Sequence, residues 1–269
     1  MIASPHCVLM TKQTLTCPNL SKLFGRIEGY AGEENVVYPP PPEPRSSLAA
    51  DANTLQGKWF TTPIYTSFGA GVEQVYVLRR NITELEWLGT VYPYALLRSA
   101  LENFAHVAWL LNGKTRDERR TRALQTWAYD FEQRGKYEDE IGHAPEPPAK
   151  RGSERRGEIL QLAKDLGLPD NRVGAKLNMV DMIKRAAEDA GFTPSEPVAA
   201  WRMASGFVHG RVWPNLRASE PTGAVAIDGG AWIRFVISDE KLDEIALWCD
   251  RFLAHSLDVY RKRRQAPDY

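Results

Sequence analysis

The chain has 269 residues, 43% hydrophobic and 25% charged, and its 34 basic and 34 acidic side chains cancel. That length supports a full core without disulfide or metal staples, and the charge balance excludes a global field that would gather nucleic acid or an anionic membrane surface. No apolar run reaches the roughly 18 residues that cross a bilayer, and Cys7, Cys17 and Cys249 are an odd count for a disulfide framework.

Taken with a start that lacks the charged-then-apolar order of a signal peptide, these features predict a cytoplasmic protein with no membrane partner. Residues 1–55 read as an extended or poorly structured segment, because Tyr38 to Pro44 holds five prolines that favour a stiff polyproline spacer or strap. The remainder, 56–269, reads as one helical bundle domain.

From Phe68 the apolar residues Val72, Val75, Leu78, Ile82, Leu85 and Leu88 recur at spacings of three and four, one face of a helix. Pro93 suits the first turn of a second helix over 92–112, closed by Gly113. A charged helix follows over 115–141, and the proline-rich stretch 143–148 interrupts the chain. Shorter helices are predicted over 154–166 and 179–190. Another opens near Thr193-Pro194-Ser195-Glu196 and runs to about 212, before Pro214.

Residues 224–237 break the helical period and turn on Asp228-Gly229-Gly230, which predicts a β-hairpin. Val225 and Ile227, then Ile233, Phe235 and Ile237, alternate as half-buried strands do, so one face is expected to pack on the helices. Ser238 or Asp239 caps a last helix to about 264. The expectation is a mainly α fold: a bundle of about seven helices with one inserted hairpin at about 224–237.

Two helices carry polar residues where a plain core helix would not. On the helix at 92–112, Arg98, Glu102 and His106 are four apart and line one side; Asn103 and Trp109 lie beside that stripe. An ordinary exposed face with an Arg–Glu pair is the plainer reading. On the helix at 195–212, Arg202, Ser205 and His209 share a side, and Gly206 and Gly210 each cost about 1 kcal/mol of helix propensity. Such glycines imply close approach by another backbone or by a ligand, or packing through small residues. Arg with His on a dry surface can move a proton and neutralise a phosphate without metal, and Glu102 is placed to orient His209.

Other chemistries lack their motifs: there is no phosphate loop, no dinucleotide fingerprint, no zinc spacing and no His-Glu-x-x-His. No cofactor and no metal ligand is expected. Cys249, within an apolar run, reads as packed core. The basic clusters at Lys114 to Arg122, Lys150 to Arg156 and Arg261 to Arg264 serve phosphate contacts or form solvated helix faces.

Leu97-Arg98-Ser99-Ala100-Leu101-Glu102 with the following Trp109-Leu110-Leu111, together with Trp201-Arg202-Met203-Ala204-Ser205-Gly206-Phe207-Val208-His209-Gly210, resembles a family of uncharacterised bacterial helical proteins common in actinobacteria. The resemblance spans roughly residues 65–262 and extends distantly to the HEPN superfamily of helical bundles. It implies a HEPN-like, metal-independent RNase of a toxin–antitoxin or phage-defence system. Arg202 and His209 would then be the catalytic pair with Arg98 and Glu102 beside them, and Ser205, His106, Asn103 and Trp109 as binding residues. RNA, a partner protein and a second copy in a homodimer are the partners it implies. The competing expectation is a non-catalytic helical protein that binds a partner chain or a small ligand between the helices at 92–112 and 195–212.

Overall fold

The structure is a computed structural model, and it describes residues 16–32, 36–56, 58–143 and 149–267. In chain order the elements are α1 (Pro18–Ile27), α2 (Ser47–Thr54), α3 (Lys58–Thr83), α4 (Tyr92–Leu111), α5 (Arg116–Glu140), α6 (Gly152–Asp165), α7 (Asp170–Val173), α8 (Met179–Asp189), α9 (Ser195–Val208), α10 (Val212–Ala218), β1 (Ser219–Ile227), β2 (Gly230–Ile237) and α11 (Asp239–Arg264). The chain is mainly helical with one antiparallel hairpin, the expected class. Among the described residues no helix is long and apolar enough to cross a membrane.

Contacts group the chain into two units: one of 1–37, 70–101 and 196–251, the other of 38–69, 102–195 and 252–269. In the first unit α1 buries Leu20, Leu23 and Ile27. Its N-terminus has no side-chain cap of its own. Asp243 of α11 supplies one instead, accepting from the backbone N–H of Asn19 at 2.8 Å and of Leu20 at 3.0 Å. Arg26 and Lys22 neutralise the buried Asp250 one turn further along. Cys249 is fully buried, with its thiol against the Leu97 carbonyl, as expected of a core position.

In the second unit Ser46 caps α2 through the Ala49 N–H. Asp51 of α2 is fully buried and receives Arg119 of α5 at 2.6 Å. An extended or poorly structured segment was expected over 1–55; its described residues hold two helices, each tied down by a buried carboxylate, and residues 1–15 and 33–35 lie outside the described residues. The polyproline stretch is a strap: Pro40 and Pro41 carbonyls accept from Tyr260 and Arg264, and the Glu43 N–H donates to the Arg264 carbonyl.

The long α3 begins ten residues before Phe68 and runs through Pro63. Proline has no N–H to give the carbonyl four residues back. That carbonyl, of Trp59, is taken by the Trp127 indole N–H of α5 at 2.9 Å, so the ladder is completed from a neighbouring helix. The predicted ends of α4, α5 and α8 agree with the structure within two residues; Thr115 and Asn178 cap α5 and α8 as their positions require.

Two predicted details are corrected. The helix at 195–212 ends at Val208, because Gly210 takes φ +61 and the Arg211 N–H closes back on the Gly206 carbonyl; α10 then starts afresh and contains Pro214 in its first turn. The hairpin exists, with Asp228-Gly229 as its two-residue turn, but it does not lay one face on the helices. Only Val236 and Ile237 at its base are buried, and Val225, Ile227, Trp232 and Ile233 are exposed, on both faces of the ribbon.

Candidate functional site

Within the first unit, α4 packs on α9 through the rings of Tyr94 and Phe207, stacked 4.0 Å apart. The Tyr94 hydroxyl donates to the Ala218 carbonyl at 3.2 Å. One turn along, the Arg98 guanidinium lies over the Trp201 ring at 5.3 Å, a cation–π contact. The first polar stripe therefore meets the second motif at Arg98 and Trp201. Gly206 is where small size is needed: a Cβ there would sit 2.5 Å from Pro214 Cγ. The close approach anticipated for that glycine is made by α10.

Arg202 and His209 are both exposed, and neither side chain has a hydrogen-bond or ion-pair partner among the described residues. Ser205 is half-buried between them. Further along the chain Arg211 and Arg217 of α10 and Arg234 of β2 are likewise exposed, and their side chains have no such partner among the described residues. Two indoles stand open among them, Trp213 at 44% and Trp232 at 72% exposure. In the hairpin register Trp232 faces Val225 across the strands, and Arg234 follows two residues on. Glu220 and Asp228 are the exposed carboxylates of the hairpin.

Two arginines of α5 are committed. Arg119 binds Asp51 and the Gly113 carbonyl, and Arg122 binds Glu118, Asp189 and the Trp109 carbonyl. Both are buried, so this part of the basic cluster at 114–122 clamps helix ends.

His106 joins a different group, in the second unit. Its Nδ1 is 2.8 Å from Ser67 Oγ on α3 and its Nε2 is 3.0 Å from Thr126 Oγ1 on α5. Thr126 spends its own proton on the Arg122 carbonyl. It therefore accepts from Nε2–H, which leaves Nδ1 bare to accept from Ser67. Burial holds the His106 pKa down at about 4, so the ring is neutral at pH 7. A cavity of about 240 Å³ opens beside this chain, with Trp127, Thr62 and Asp130 on its wall; burial raises the Asp130 pKa. The arrangement clasps three helices and has no carboxylate behind the imidazole to strengthen it as a base.

Trp109 is buried, with the Arg122 guanidinium 5.3 Å from its ring centre and His106 at 5.8 Å. It forms part of a second cavity of about 270 Å³ between α5 and α8, with Arg172, Lys176 and Arg185 at its mouth. Glu102 and Asn103 are half-buried on α4. Among the described residues no group of three or more His, Cys, Asp or Glu is placed to hold a metal.

Sequence reasoning missed both cavities, since each draws on three or more elements. The signals that bear on them are a proline inside a helix at Pro63 and a run of basic residues, Arg172 and Lys176, around a capping Asn178. Comparison with protein-family models, with curated proteins and with solved structures finds no match.

Proposed function

We propose that this chain binds single-stranded RNA on the surface formed by the end of α9, by α10 and by the hairpin, and cleaves it there as a metal-independent RNase. One observation carries the reading: within the stretch 202–234 four arginines and a histidine are exposed with side chains uncommitted to any partner among the described residues, and two indoles of the same stretch are open. Guanidinium groups that pair with nothing at home are available to phosphates, and indoles with free faces stack on bases of any identity.

In this reading His209 takes the proton from a ribose 2′-OH as that oxygen bonds to the adjacent phosphorus. The P–O5′ bond breaks and the proton passes to the leaving 5′ oxygen. Arg202 offsets the charge that grows on the phosphate oxygens. The products are a 2′,3′-cyclic phosphate and a 5′-hydroxyl.

The test is wild type beside His209→Ala on mixed single-stranded RNA with a chelator present, together with binding of a labelled oligonucleotide to Trp232→Ala. Cleavage is expected in wild type alone, and Trp232→Ala is expected to weaken binding by about 1–3 kcal/mol. Cleavage that survives His209→Ala would sink the mechanism; binding indifferent to salt and to Trp232 would sink the RNA surface.

A second reading, a non-catalytic protein that docks a partner chain or a second copy here, is favoured by the exposed apolar side chains Val212 and Leu216 of α10 and Val225, Trp232 and Ile233 of the hairpin. It expects sedimentation as a dimer that Trp232→Glu returns to monomer, with no RNA cleaved.

A further inference from the structure

The cavity between α5 and α8 has a composition that the RNA surface does not use. Its mouth carries Arg172, Lys176 and Arg185 against the single carboxylate of Asp181. The Arg172 and Lys176 side chains have no hydrogen-bond or ion-pair partner among the described residues, and Arg185 reaches Glu188 only at 3.4 Å between exposed groups. Glu118 and Glu132, whose pKa values Arg172 and Lys176 help to lower, are already engaged by closer partners: Glu118 with Arg122 at 2.7 Å and Glu132 with Lys136 at 2.7 Å. The mouth is therefore a cationic ring with an excess of positive charge.

Behind the ring the lining changes. Leu177, Met182 and Trp109 supply an apolar floor, all three nearly fully buried. Two amides sit at the rim. Asn178 Oδ1 is spent on the N–H groups of Val180 and Asp181, which leaves its NH2 to donate. Gln125 spends its NH2 on the Ala175 carbonyl at 3.3 Å, which leaves its oxygen to accept. A volume of about 270 Å³ is at the small end of ligand sites.

We propose that this cavity binds a nucleoside monophosphate. The phosphate dianion is matched by Arg172, Lys176 and Arg185, because three cations against the one carboxylate of Asp181 balance a doubly charged group and overbalance a neutral one. The flat base is matched by the Leu177 and Met182 floor, and its polar edge by one free donor and one free acceptor. The volume is of the order of one nucleotide. The site is built from the second unit alone and does not rest on the RNA reading.

The experiment is calorimetric titration of the full-length protein with each of the four nucleoside 5′-monophosphates, with adenosine and inorganic phosphate as controls. It is repeated with an Arg172→Gln/Lys176→Gln double variant whose thermal melt is first matched to wild type; both residues are exposed, so folding is not at stake. At least one monophosphate is expected to bind saturably, about tenfold or more weaker in the double variant and weaker again between about 50 and 500 mM salt. Adenosine and phosphate alone are expected to bind far less. No saturable binding by any of the four overturns the proposal, as does binding unchanged in the double variant. Phosphate that binds as tightly as the nucleotide overturns the part played by the apolar floor. Since Arg202, His209 and Trp232 are untouched, failure here leaves the RNA tests standing, and their failure leaves this one.

Discussion

Protonating His106 places a charged ring in the buried clasp among α3, α4 and α5. In the folded protein its pKa is about 4, against an ordinary value of 6.5, because burial disfavours the charged ring. The unfolded chain therefore takes up a proton first as pH falls. A histidine with a depressed folded pKa stabilises the fold fully above its unfolded pKa, and that contribution drains away between about pH 6.5 and 4. The full span is roughly 3 kcal/mol at 1.36 kcal/mol per unit, and the share lost by pH 5 is about 2 kcal/mol. Both are upper bounds, since one edge of the residue stays partly exposed. The hydrogen bonds themselves can adapt, since a protonated Nδ1 donates to a Ser67 hydroxyl that turns its own proton away; the cost is that of burying the charged ring. Urea unfolding of wild type and His106→Gln at about pH 7.5, 6, 5.5 and 5 isolates this residue. His255, whose pKa burial also lowers, titrates in both proteins and drops out of the difference. Wild type should lose about 2 kcal/mol more than the variant over that range. Parallel curves would refute the assignment of the neutral, clasped tautomer.

Asp51→Ala should cost about 3–5 kcal/mol in the same unfolding assay, because it strands the buried Arg119; Asp51→Ala with Arg119→Met should recover much of it. Asp243→Ala removes the cap that α11 lends to α1, a loss of about 1.5–3 kcal/mol, read as a lower melting temperature with earlier hydrogen exchange at Asn19 and Leu20. Gly206→Ala should destabilise by more than helix propensity would gain, since its methyl meets Pro214 at 2.5 Å; a neutral or stabilised melt would contradict the packing of α10 on α9.

What the sequence revealed and what it hid divide along the range of the interactions. α4, α5, α8 and α11 carry their own apolar spacing, and Thr115 and Asn178 mark two of their starts within three residues, so local reading finds them. α1 and α2 are short, and what secures them, Asp243 and Arg119, comes from far along the chain. The beginning of α3 was hidden by Pro63, whose cost is met by an indole from α5. The exposure of the hairpin was hidden because alternation of Val225, Ile227 and Ile233 reads the same whether or not anything covers it. At the site, helical spacing singled out Arg98, Arg202 and His209 but not the contact Arg98 makes, which is with the Trp201 ring, nor that Arg202 and His209 are exposed. The partners of His106 were not visible either, for Ser67 and Thr126 lie on two other helices.

The bond from the Trp127 indole to the Trp59 carbonyl has a further consequence, for the register of α3 against α5. Apolar ridges of two helices fit one another nearly as well after a slide of one turn, so packing alone discriminates weakly among such alignments. Here one helix has a single interior carbonyl released by Pro63, and the other offers one indole N–H to meet it. A slide of one turn would leave an unsatisfied acceptor and an unsatisfied donor in the same misaligned state, a penalty of about 1–3 kcal/mol for each. The proline that would ordinarily weaken a helix thus acts as an index mark, admitting one alignment of the pair and rejecting its neighbours.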